Sequence, residues 1–226
     1  MRHQLVVFDN SGVLVDSETL GNRLLAEMLT TEGVATTFAD AVTHYLGKSL
    51  ADVLTTVRRR TGTGLPDDFG ARFHTRLFDV FERELTAMRG VHEVLDDLDD
   101  LGVPYCVASN DTADRVRVTL GLTGLDRRLA GRVLGADLVA RPKPAPDLFL
   151  LAAERFGVAP GECLVIEDSP RGVTAARAAG ATVLGLASLT PRARLADAHR
   201  VLGSLTELRP LLPALCTAPN FLEARA

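Results

Sequence analysis

The stretch Leu5-Val-Val-Phe-Asp9-Asn-Ser11-Gly-Val-Leu-Val-Asp-Ser-Glu18 decides how this chain reads. A short apolar run ends on a carboxylate and breaks at once into a turn containing Gly12. Strands of a parallel sheet are covered on both faces and so read as continuous apolar runs. Their carboxyl ends are where α/β folds present reactive groups. Asp9 is therefore expected at the carboxyl edge of such a strand. Further along, residues 104–108, 163–166 and 182–186 read as strands, and 91–101, 147–156 and 170–179 as helices. That alternation predicts an α/β fold with a doubly wound parallel sheet.

Between the first strand and the rest lies a different pattern. Leu20, Leu24 and Met28 recur every four residues, as do Phe38, Val42 and Leu46, and again Phe69, Phe73, Leu77 and Phe81. These are one-sided stripes at the helical period, read here as packing faces. Residues 17–87 are thus expected to form an inserted all-helical cap with a small core of its own. The catalytic core then comprises 1–16 and 88–226. The tail after Pro213 carries no strong signal.

Composition narrows the partners. The chain has 226 residues, 46% of them apolar, and a net charge of −4, which argues against a nucleic-acid surface. Arg58-Arg59-Arg60 reads as a solvated helix end. No apolar run approaches the roughly 20 residues that span a bilayer, and the first residues enter a strand without a leader-like apolar region. Cys106, Cys163 and Cys216 lie far apart with no metal or redox spacing. The expectation is a cytoplasmic monomer or weak homodimer that engages neither membrane nor nucleic acid. Of 25 basic side chains only Lys48 and Lys143 are lysines, so each invites a specific explanation.

Four strand ends carry the polar residues. Asp9 is the first. Ser109-Asn110 closes the run Tyr105-Cys-Val-Ala108, where a hydroxyl and backbone N–H groups can meet an anion, although a helix N-cap explains the same residues. Arg141-Pro-Lys143-Pro-Ala-Pro-Asp147 holds a lysine in a proline-stiffened loop, well placed to neutralise a phosphoryl group. Glu167-Asp168-Ser169 closes a wholly apolar strand with two adjacent carboxylates. Buried carboxylates need a cation, and with Asp9 these two form an oxygen-rich set suited to Mg²⁺. One of the residues at this end can also cap the helix that follows.

In this order, Asp9, Ser109, Lys143 and Glu167-Asp168 resemble the four motifs of the haloacid dehalogenase-like hydrolases. The neighbouring Val107-Ala-Ser-Asn110, Lys143-Pro-Ala-Pro-Asp147 and Ile166-Glu-Asp-Ser169 with Gly172 match closely as well. The chain looks most like the branch of sugar-phosphate phosphatases and β-phosphoglucomutase. The resemblance implies a Rossmann-like core and a helical cap inserted after the first motif. It implies that Asp9 takes up phosphorus as an aspartyl-phosphate and that Ser109, Asn110 and Lys143 hold the phosphoryl oxygens. It also implies Mg²⁺ on Asp9, the backbone carbonyl of Ser11 and Asp168, with Glu167 nearby. In the cap, Lys48 and Ser49 occupy the place from which that branch contacts its substrate. The branch's mutases usually carry a basic pair there, and this chain has one Lys with no Arg before Arg58, which favours hydrolysis.

One position departs from the pattern. The family reads Asp-x-Asp, with the second Asp as general acid and base, and here Ser11 stands in its place. Losing a positioned acid/base typically costs about 10²–10⁴-fold in rate. The expected activity is Mg²⁺-dependent hydrolysis of a small phosphorylated metabolite, a sugar or polyol phosphate monoester, with impaired turnover. Two alternatives compete: a phosphonatase-like C–P hydrolase using Lys48, and a non-catalytic binder of phosphorylated metabolites.

Overall fold

A computed structural model gives the protein's structure and describes residues 2–217. The chain divides into two compact units, one built from the residues up to Val15 and from Ala87 onward, the other from Asp16–Thr86.

The larger unit is built on six parallel strands: β1 (Leu5–Phe8), β2 (Tyr105–Ala108), β3 (Val133–Leu134), β4 (Cys163–Glu167), β5 (Thr182–Leu186) and β6 (Arg200–Leu202). Their order is β3-β2-β1-β4-β5-β6. Phe8 lies level with Val107 on one side and Ile166 on the other. Chain order reverses between β1 and β4, and in doubly wound sheets such a switch point opens a crevice at the carboxyl ends. β1, β2 and β4 are buried along their whole length, which is why they read as unbroken apolar runs.

The helical segment 16–86 carries four helices: α1 (Ser17–Thr31), α2 (Phe38–His44), α3 (Leu50–Thr61) and α4 (Phe69–Glu84). Leu24, Leu25, Met28, Val53, Val57 and Phe69 form the heart of a separate core. The stripe expected over Phe38, Val42 and Leu46 holds at Leu46, but within α2 the buried residue is Ala41, with Tyr45 just beyond, while Val42 is half-buried and Phe38 is 39% exposed. Phe38 directly follows the N-cap, where the Thr37–Asp40 capping box rather than packing sets the local course.

Back in the larger unit, the connections are α5 (Val91–Asp100), α6 (Ala113–Leu122), α7 (Asp147–Phe156), α8 (Pro170–Ala178) and the short α9 (Leu212–Leu215). Leu148, Phe149 and Ala152 of α7, with Val173 and Ala176 of α8, join Leu5, Val7 and Val165 of the sheet in one core. Beyond Pro213, Cys216 bridges to His3 beside the first strand, and the rest of the tail lies outside the described residues. Among the described residues no helix is long and apolar enough to cross a membrane.

Candidate active site

Asp9, Ser109 and Glu167-Asp168 lie at or just beyond the carboxyl ends of β1, β2 and β4. Lys143, expected at a strand end, stands instead in the loop between β3 and α7, because the chain runs on past the short β3 before α7 begins. Asp9 follows β1, and its N–H donates to Ile166 on β4 (2.9 Å), tying the nucleophile candidate to the switch point. The chain then turns at Gly12, whose φ of 74° suits a residue without a side chain. Gly12 N–H donates to the Val15 carbonyl and Leu14 N–H to that of Asn10, folding 10–15 into a tight flap. Ser11 sits in that flap, paired with Val15 and partly exposed.

Lys143 is the hub. It is 2% exposed, and its Nζ donates to Asp9 Oδ1 (2.7 Å), the Ala108 carbonyl (2.7 Å) and Glu167 Oε1 (2.5 Å). An ammonium has three protons, and all three are used. The Phe149 ring lies 5.0 Å from the same nitrogen. Its backbone is gripped as firmly. Asn110 accepts from Lys143 N–H (2.8 Å) and donates to its carbonyl (3.0 Å), and Arg171 donates to that carbonyl as well (3.0 Å). Both ends of the Asn110 amide thus face the lysine's main chain. Ser109 is buried at the end of β2, its Oγ accepting from Asp111 N–H (3.2 Å), so its own proton remains available to an anion.

The acidic side of the site is equally ordered. Glu167 is fully buried, and its Oε2 accepts from Ser169 N–H (3.2 Å) and Ser169 Oγ (2.9 Å). Ser169 also caps α8 by accepting from Gly172 N–H (3.0 Å). Capping therefore falls to the serine, and the carboxylates stay with the site. Ligand oxygens of Asp9, Glu167 and Asp168, all buried, lie within 4.8 Å of one another. Three hard oxygen donors this close fit a small divalent cation such as Mg²⁺.

Burial pushes the Asp9 carboxyl up to about 7; the Lys143 charge pulls against this and the Glu167 charge adds to it. Burial alone would depress the Lys143 ammonium, but its two carboxylate partners hold it above the ordinary lysine value. Lys143 is charged at any physiological pH.

Lys48 and Ser49 belong to the helical unit and have partners there. Lys48 Nζ donates to Thr56 Oγ1 (3.1 Å), and Ser49 caps α3 by accepting from Asp52 N–H (3.2 Å). The Ala108 carbonyl, Arg171 and Gly172's steric role escaped sequence reasoning. The first two act through long-range backbone contacts. Gly172 offered a readable sign, a glycine at the third position of a capped helix. A Cβ there would fall 1.9 Å from Glu167 Cδ, so only glycine lets this carboxylate lie against the helix start. Gly172→Ala is expected to cost about 1–3 kcal/mol through overpacking. Urea unfolding checks this, and an unchanged midpoint would show that Glu167 moves aside freely.

Comparison with known proteins agrees with this geometry. A family model described as haloacid dehalogenase-like hydrolase matches residues 3–180. The chain belongs to the haloacid dehalogenase-like hydrolases. Among relatives of this hydrolase, hexitol phosphatase A of Escherichia coli is 32% identical over 92% of the chain and 94% of its own length. A family hydrolase from Deinococcus radiodurans, solved with bound phosphate and sodium, is 32% identical with a TM-score of 0.81 over 96% of this chain and 99% of that one. Protein SUPPRESSOR OF QUENCHING 1 of Arabidopsis thaliana is 34% identical over 85% of the chain, which spans only 19% of that longer protein.

Proposed function

We propose that this hydrolase is a divalent-cation-dependent phosphatase of a small phosphorylated metabolite, a sugar or polyol phosphate monoester, acting by phosphoryl transfer to Asp9. The observation that carries the reading is the buried Lys143 ammonium held between Asp9 and Glu167, with Asp168 completing the acidic cluster. A fixed cation beside a carboxylate nucleophile neutralises an incoming phosphate without reorganising, which is how preorganised charge lowers a barrier. The relatives' printed activities point the same way, since hexitol phosphatase A is named for a polyol phosphate.

In this reading Asp9 supplies the attacking oxygen, the Lys143 ammonium neutralises the phosphoryl charge, and the Ser109 hydroxyl donates to a phosphoryl oxygen. Asn110 and Arg171 keep Lys143 in place through its backbone. Asp9, Asp168, the Ser11 carbonyl and Glu167 would hold Mg²⁺, which when bound supplies further neutralising charge for the phosphate. Glu167 has lone pairs left for this after serving Lys143 and Ser169, because a carboxylate accepts about four hydrogen bonds.

The test is phosphate release from a panel of aryl, sugar and polyol phosphates, with and without Mg²⁺, by this chain and by Asp9→Asn. Release should need the metal and fall to the blank in the variant. Hydrolysis that survives Asp9→Asn, or that ignores a chelator, would remove the proposal.

A further inference from the structure

We propose that Asp137 is a positioning residue for the phosphate site: its carboxylate fixes the loop 109–112 and, through that loop, the Ser109 hydroxyl. The proposal rests on the phosphatase reading above and adds to it a residue outside the acid, lysine and metal-binding groups. Past the ends of β2 and β3 the two chains stay side by side. Ser109 N–H donates to the Leu134 carbonyl (2.9 Å), and Ala136 N–H donates to that of Asp111 (2.9 Å). Helix α6 begins at Ala113, and there a side chain takes over from the main chain. Asp137 Oδ1 accepts from Ala113 N–H (2.8 Å), the first amide of the helix. Such an amide has no partner in its own helix and must find one outside it. Ser109 Oγ is set from inside the same loop, where it accepts from Asp111 N–H (3.2 Å).

Gly135 shows that this contact is built into the fold. A Cβ there would lie 2.1 Å from the Ala113 nitrogen, 2.4 Å from Asp137 Oδ1 and 2.7 Å from the Thr112 carbonyl carbon. No side chain tolerates such approaches, so glycine is what lets the loop, the helix start and the carboxylate close on one another. Thr112 is already occupied as the N-cap, its side chain accepting from Arg115 N–H, which leaves Ala113 N–H to Asp137. The same two segments meet again at Asn110, which holds the Lys143 backbone through two hydrogen bonds. Residues 109–113 and 134–143 thus form one framework, and it carries both the hydroxyl and the ammonium that meet a phosphoryl group. Without Asp137 the Ala113 N–H loses its partner, the loop relaxes, and the Ser109 proton is no longer held in one place. The role calls for an acceptor oxygen and not for a charge.

The experiment measures binding of inorganic phosphate to the full chain with Mg²⁺ by calorimetry, so it does not depend on turnover. It compares the native chain with Asp137→Ala, Asp137→Leu, Asp137→Asn, Ser109→Ala and the double variant Asp137→Ala with Ser109→Ala. Urea midpoints record the stability of each. Asp137→Ala and Asp137→Leu should weaken phosphate binding about threefold to tenfold, the worth of one hydrogen bond. Asp137→Asn keeps an acceptor oxygen and should bind phosphate as the native chain does. In the Ser109→Ala background, Asp137→Ala should add less than about twofold, because residues that act through one another are not additive. A carboxylate that only stabilises α6 would lower the urea midpoint and leave phosphate affinity untouched, and that result overturns the inference. Equal losses in both backgrounds overturn it too, as does an Asn variant as weak as the Ala one. If neither Asp137→Ala nor Asp137→Leu folds, the carboxylate is a folding element and the inference falls. In each of these cases phosphate release by the native chain leaves the phosphatase reading standing. A native chain that neither binds phosphate nor releases it from any ester removes both.

Discussion

Ser11→Asp should raise the turnover of alkyl phosphate monoesters by about 10²–10⁴-fold, equivalent to about 2.7–5.4 kcal/mol of barrier. A carboxyl at this position would stand two residues beyond Asp9 on the flap closed by Gly12 and Val15. From there it would protonate a departing alkoxide and then draw a proton from the attacking water. Ser11 is partly exposed and has no left-handed backbone to disturb, so the flap accommodates the change. Aryl phosphates should gain much less in the first half-reaction, because a phenolate leaves with little help. Steady-state kinetics on matched alkyl and aryl substrates would show it. An equal, small change for both would mean that proton transfer at this position does not limit the reaction.

Lys143→Ala should cost about 3–5 kcal/mol at neutral pH, the range found when one partner of a buried ion pair is removed. Here the ammonium serves two carboxylates, and its loss leaves Asp9 and Glu167 buried side by side without it. The pH dependence has a definite sign. The Asp9 carboxyl is already raised from 3.8 to about 7 with Lys143 present, and deleting the ammonium removes a lowering influence. A folded carboxyl titrating above its unfolded value binds more protons folded than unfolded. Its penalty therefore grows as pH rises from about 4 through 7 and shrinks as pH falls. The gap between native and variant stability should be wide at pH 8 and narrower at pH 5. Denaturant midpoints at the two values measure it, and a pH-independent gap would mean that these carboxylates do not carry the cost.

Much of this site could be read from the chain, for identifiable reasons. Asp9, Ser109 and Glu167-Asp168 each end a run whose apolar character comes from burial on both faces. Lys143 stood out because arginine supplies nearly every other basic side chain and because prolines flank it. Helix α7 and strand β5 begin and end where the periodicity places them. Strands β3 and β6, with two and three residues, are too short to show any period and owe their existence to a neighbouring strand's edge. The displaced face of α2 was hidden by a different conflict, in which capping chemistry overrode a four-residue stripe.

By itself, the sequence determined that a parallel sheet presents one acid, one lysine and an acidic pair at its carboxyl edge, and that a serine stands beside the acid. Strand period and residue type are local properties, written in neighbouring letters. Only the tertiary structure decided what each group is bonded to. Lys143 meets Asp9 across 134 positions of chain because β1 lies between β2 and β4. Asn110 turns to the lysine's backbone, and Gly172 makes room for Glu167. Strand order and close approach set these partnerships, and they decide how many protons near Asp9 remain free to move.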